Sequence, residues 1–162
     1  MKKTISCVAF LAIILMLSSC NKAVDPLVGD YSYKTSGSVS VQTATDTTTH
    51  QLNETYGQMN IINLHSDDSI MIVMNEWEGK VYTVKCIAHE GGYVIPQYVK
   101  HVQINGLSSI NNKYDVYASG TATIYDKNTI VIQETYTGII HPDFSDTAIV
   151  EGNNILTIAQ RN

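Results

Sequence analysis

The chain has 162 residues, 44% hydrophobic and 15% charged, with 10 basic against 15 acidic side chains. That length fits one domain once a targeting peptide is set aside, and so low a charge content excludes a charge-swollen disordered chain. The net charge of −5, with Arg161 the only arginine, argues against nucleic acid as a partner, because phosphate binding needs a basic face.

The first twenty residues carry the sharpest signal. Lys2 and Lys3 form a short positive stretch, and Cys7 to Leu17 are consecutively apolar. That run has the length of a secretory h-region and is too short to span a bilayer. It closes Leu17-Ser18-Ser19-Cys20, which resembles a bacterial lipobox. The resemblance implies a signal peptide over 1–19, acylation of Cys20 as the mature N-terminus, and a lipidated tether over 20–28. Two or three acyl chains, at about 0.8 kcal/mol per buried CH₂, anchor a protein stably where one does not. An ordinary cleaved signal peptide and an uncleaved helix are the alternatives. Asn21 stands where an acidic residue would signal inner-membrane retention, so the outer membrane is the expected destination, on either face. With Cys7 removed and Cys20 acylated, Cys86 is left without a disulfide partner. It alternates with Tyr82, Val84 and Ala88, the setting of a buried, inert thiol.

Beyond the tether no stretch of ten residues keeps a helical period. Short runs rich in Val, Ile, Thr and Tyr, divided by turn residues, predict strands at roughly 29–35, 38–45, 56–65, 69–76, 80–90, 93–104, 114–126, 129–139 and 154–160. A weaker strand is predicted over 146–151, and the polar run Thr43 to Thr55 reads as a loop. Gly91-Gly92, Glu76-Trp77-Glu78-Gly79, Asp126-Lys127-Asn128 and Gly152-Asn153-Asn154 read as tight connections. Links this short compel antiparallel neighbours. The expected fold is therefore all-β, an up-and-down meander that closes into a barrel of about eight strands, with a β-sandwich as the competitor. Pro96 should interrupt a strand and Pro142 should fall in a loop. Gly120, flanked by Ala118 and Ala122, marks a place where a strand bends.

Leu27-Val28-Gly29-Asp30-Tyr31-Ser32-Tyr33 after a lipobox, followed by a Thr/Tyr-rich meander, resembles the small lipocalin-like or calycin-like lipoproteins of Bacteroidetes. Its Gly-x-Tyr is similar to the Gly-x-Trp that opens a lipocalin barrel, with Tyr31 in place of tryptophan. The resemblance implies a lipocalin-like barrel.

No catalytic motif is present. Gly-x-Ser-x-Gly, a glycine-rich phosphate loop and Cys-x-x-Cys are all missing, and His89-Glu90 runs into Gly91-Gly92 where a metal motif needs a second histidine. His65 with Asp67 and Asp68 reads as a solvated turn before a metal site, and Glu76 with Glu78 as a solvated hairpin tip before a carboxylate pair. The expectation is a monomeric protein that is not an enzyme and uses no cofactor or metal. Ten tyrosines against one tryptophan and two phenylalanines supply apolar bodies with polar tips. Tyr82, Tyr114 and Tyr136, inside predicted strands, are candidate lumen residues for a small amphipathic ligand or a glycan. Trp77, at a hairpin tip, is either an exposed contact residue or a plug over the barrel mouth. Asp46-Thr47-Thr48, Asp68-Ser69-Ile70 and Asp146-Thr147-Ala148 resemble the Asp-Ser/Thr-apolar O-glycosylation pattern of Bacteroidetes. Two functions remain open. One is a lipid-anchored, ligand-binding lipocalin-like protein. The other is a surface interaction module, an adhesin accessory or inhibitor, with a filled core and working loops at 43–55, 76–79 and 105–113.

Overall fold

Alternation of β-branched and aromatic residues with polar ones produces ten strands in the computed structural model, which describes residues 27–64, 68–107, 113–142 and 146–162. The expected signal peptide, Cys20, the tether through Pro26, and His65 with Asp67 lie outside the described residues. The strands are β1 (Gly29–Ser36), β2 (Ser38–Gln42), β3 (Thr47–Gln51), β4 (Thr55–Asn63), β5 (Ser69–Glu76), β6 (Val81–His89), β7 (Gly92–Gln103), β8 (Lys113–Ile124), β9 (Thr129–Ile140) and β10 (Ala148–Arg161). Every pairing is antiparallel, and β10 returns to pair with β1 from Tyr31↔Arg161 to Ser36↔Leu156. Because β2 continues β1 beyond Gly37 and β3 runs into β4, the ten segments form eight ribbons. The chain is an eight-stranded up-and-down barrel, as the turn spacing predicts.

Two expectations fail locally. Residues 47–51, read as loop, form β3, which pairs with β2 from Thr47↔Gln42 to Gln51↔Ser38. Its β-branched threonines suit an extended ribbon even though most of it is exposed. Gly152-Asn153-Asn154, read as a turn, is a bulge inside β10, which runs unbroken along β9 on both sides of it. A bulge accommodates extra residues without reversing the chain.

The barrel is stepped. β6 pairs with β7 only through Ile87↔Val94, Ala88↔Tyr93 and His89↔Gly92. At Pro96, which has no N–H to donate, β7 shifts register against β8 between Ile95 and Tyr98 and parts from β6. Its far end meets β3 instead. Asn53 N–H donates to the Gln103 carbonyl at 2.9 Å, Asn105 N–H to the Gln51 carbonyl at 2.9 Å, and Leu52 bridges Ile104. The wall thus narrows from eight ribbons near the chain ends to six (β7, β8, β9, β10, β2 and β3) at the opposite end.

Side chains fill both sections. Tyr31, Tyr33, Met59, Ile61, Ile72 and Ile132 belong to the core of the wide section, while Val39, Val41, Val116, Tyr136, Val150 and Ile155 belong to that of the narrow one. Tyr98 packs against both. Alternation runs apolar inward and largely polar outward, as in β1, the reverse of a barrel that faces lipid. Cys86 is wholly buried, as expected, and burial pushes its thiol up to about 12, away from the thiolate form that reacts. Gly120 pairs with Ile95 on one side and Glu134 on the other, and a Cβ there would fall on the Gln133 carbonyl. Gly120→Ala should therefore destabilise the barrel by about 1–3 kcal/mol, measured as a lowered midpoint of urea unfolding.

Candidate functional site

Between the two apolar sections lies a buried polar layer. β9 points Ile130, Ile132, Glu134 and Tyr136 inward on one parity. Lys100 of β7 does the same, and its Nζ donates to Glu134 Oε2 at 3.0 Å with both side chains almost fully buried. Tyr98 Oη donates to Glu134 Oε1 at 2.5 Å and Tyr136 Oη to Oε2 at 3.2 Å. Burial, the largest single influence, would lower the lysine's affinity for its proton, but the charge and hydrogen bond of Glu134 together with Tyr98 and Tyr33 outweigh it and hold the ammonium well above its ordinary range. Burial raises both tyrosine hydroxyls well above theirs.

Where β6 and β7 part, a side chain replaces the missing ladder. His101 N–H donates to Tyr82 Oη at 3.1 Å, and that hydroxyl donates to Glu76 Oε2 at 3.4 Å. Burial pushes Tyr82 up to about 12. Glu76 was expected at a solvated tip; it is instead 8% exposed, and its Oε1 has no hydrogen-bond partner. The hairpin turns just beyond it, so Glu76 belongs to the inward parity of β5 while Glu78 faces solvent and pairs with Lys113 at 3.3 Å. Burial raises the Glu76 carboxyl pKa, with Lys100 opposing.

Tyr82, Tyr114 and Tyr136, the lumen candidates, all face inward and are buried. Tyr82 closes the seam, Tyr136 bonds Glu134, and Tyr114 belongs to the narrow-section core. The space left beside Lys100 and Tyr136 is about 10 Å³, room for one water at most.

Trp77 stands apart from these three. It is 72% exposed and is no plug, for its ring stacks on Tyr56 of the outer wall with centroids 5.7 Å apart and planes 18° from parallel. The hairpin aims it there: Trp77 N–H donates to the Tyr56 carbonyl at 3.0 Å, and Gly79, at φ +90°, supplies the left-handed residue of the turn. Cross-strand pairing of Ile158 with Lys34 and of Lys34 with Tyr56 extends this shelf across three ribbons. Lys34 Nζ lies 2.6 Å from Glu54 Oε1 and 5.7 Å from the Tyr56 ring centre. The groove so formed measures about 350 Å³ and is lined by Ser32, Tyr33, Lys34, Tyr56, Trp77 and Gln160, among others. It presents an aromatic face beside hydroxyl, ammonium and amide groups.

Sequence reasoning missed Lys100 and Glu134. The signal was present as one lysine and one glutamate on otherwise apolar parities. Among the described residues no group of three His, Cys, Asp or Glu is placed to hold a metal.

No family model matches the chain, and no curated protein matches it significantly. Three solved structures resemble it. A redesigned β-barrel is 12% identical over 89% of this chain and 98% of its own, with a TM-score of 0.41. Neisserial surface protein A is 7% identical over 83% and 97%, with a TM-score of 0.49. Ail, the attachment invasion locus protein of Yersinia pestis, is 10% identical over 83% and 99%, with a TM-score of 0.37.

Two substitutions probe the layer. Lys100→Met leaves the Glu134 carboxylate buried without its cation and should cost about 3–5 kcal/mol in denaturant unfolding, whereas Lys100→Met with Glu134→Leu should recover most of that loss. Because the Glu76 pKa is raised above its unfolded value, its contribution is fully present below the unfolded pKa and is lost as pH rises through the folded one. Glu76→Gln should therefore stabilise the protein by about 1 kcal/mol at neutral pH and by less at pH 4, read from urea midpoints at the two pH values.

Proposed function

We propose that this chain is a lipid-anchored envelope protein of the outer membrane, a monomeric binding module and not an enzyme, and that it takes a saccharide on its outer wall. The observation that carries the reading is the Trp77 ring lying open on Tyr56 beside Ser32, Lys34 and Gln160. A sugar has an apolar C–H face that stacks on such rings and hydroxyls that bond to the amide, hydroxyl and ammonium groups at their edge. Packing of Tyr82, Tyr114 and Tyr136 into the core favours the wall over the lumen as the place of binding. This departs from a lipocalin-like ligand chamber and retains the interaction module with a filled core. Anchoring rests on Lys2, Lys3, the apolar run and the lipobox ending at Cys20.

As the only tryptophan, Trp77 is its own reporter. Titrating the domain with envelope-derived oligosaccharides should shift and quench its emission saturably, and Trp77→Ala, followed by titration calorimetry beside the wild type, should weaken binding at least about tenfold, about 1.4 kcal/mol, without moving the unfolding midpoint. Saturable binding to phospholipid micelles alone, or no response to any saccharide, would reject the saccharide reading.

A further inference from the structure

We infer that the wide end of the barrel, from which the N-terminal tether leaves, rests on the bilayer that holds the anchor. This rests on the lipoprotein reading above. Leu27 is buried in the wide-section core, and its carbonyl accepts the Tyr31 hydroxyl at 2.9 Å, so the chain is pinned where it enters the barrel. Only residues 21–26 separate it from Cys20. Seven Cα–Cα steps span at most roughly 25 Å even when fully extended. The end that carries Leu27 can therefore never stray far from the membrane surface.

That end carries the side chains a bilayer accepts. Val28, Ile62, Ile87, Val94, Ile124 and Tyr125 are all exposed there. Ile87 of β6 and Val94 of β7 are direct cross-strand partners on the outer wall, Ile87 being 60% exposed, and Tyr125 in the β8–β9 turn is 77% exposed. Aromatic and aliphatic groups on a rim next to a lipid anchor match an interfacial contact, in which each buried side chain adds affinity in proportion to its apolar area. Charge does not drive it. Among the described residues Lys85, Lys127 and Arg161 share this end with Asp30, Asp68, Glu90 and Asp126, which leaves no surplus of positive charge to seek anionic lipid. The contact draws on apolar burial, and it should be insensitive to salt and to anionic headgroups.

Docked in this way, the barrel stands upright. Its six-ribbon end and the Trp77 shelf are held away from the lipid.

The test uses the mature chain coupled through the Cys20 thiol to a maleimide phospholipid in phosphatidylcholine vesicles. Cys86 is wholly buried and is spared by the reagent. Tyr125→Trp in a Trp77→Phe background places a lone indole at the rim, and wild-type Trp77 serves as the distant control. Brominated phosphatidylcholine should quench the rim indole about twofold or more beyond Trp77, equally in low and high salt. Equal quenching of the two indoles, or quenching of neither, overturns the inference. So does rim quenching that requires phosphatidylglycerol and disappears in salt, which would mean electrostatic attraction alone. Because the coupling is chemical, these outcomes do not depend on acylation in the cell. Mass spectrometry of the N-terminal peptide from the native envelope decides that separately, and an unacylated peptide would reject the lipoprotein reading while leaving the rim result standing.

Discussion

A lysine and a glutamate face each other across the inside of the barrel, and the shape of the molecule follows from that pair. Beyond Pro96, β7 has lost β6 as a neighbour, and its inward parity would carry a bare ammonium into an apolar interior. Lys100 meets Glu134 at 3.0 Å, and Tyr98 and Tyr136 occupy further lone pairs of the same carboxylate. Such a pair adds little net stability, since desolvation consumes most of the Coulomb gain, but mispairing it is expensive. A slip of β7 by one residue would turn Lys100 outward and strand Glu134. The pair thus reinforces the register of β7 between the point where it leaves β6 and the point where its far end meets β3.

The step that β7 makes also decides where the exposed tryptophan lies. β5 and β6 are shorter than β7, β8, β9 and β10 and stop where the wall narrows, so their hairpin ends on the flank of the barrel. Trp77 therefore folds down onto Tyr56 and not over a mouth. Tyr82, one residue beyond the start of β6, closes the gap from inside with its hydroxyl, and Glu76 is drawn into the wall beside it. The tyrosine hydroxyl closes the seam from inside, and the aromatic surface of Trp77 faces out.

Much of this was legible in the sequence. Alternating Val, Ile, Thr and Tyr with close turns required an antiparallel meander, and about eight strands without a covering helix favoured closure over a sandwich. Pro96 marked the interruption through its own backbone chemistry, whereas Gly120, read as a bend, sits where the Gln133 carbonyl leaves no room for a Cβ. What could not be read were effects of partners distant in the chain. Thr47–Gln51 looks like a polar loop until β2 is beside it, and Gly152-Asn153-Asn154 looks like a turn until β9 holds both halves in line. Glu76 reads as a solvated tip because the pattern shows only that the hairpin turns near it, not that β7 has opened a wedge there. The tyrosines were correctly placed on the inward parity, yet a parity says nothing about whether the space between facing side chains is open.

The ladder between β1 and β10 joins the first strand of the barrel to the last, so synthesis order matters. Until residues 148–161 arrive, β1, β2 and β9 each present an unpaired edge, and β9 carries a buried carboxylate on a strand still exposed to water. Closure of so long a loop is slow, and free edges invite pairing with other chains. A nascent chain of this topology gains its protection all at once, when the fourteen residues of β10 dock.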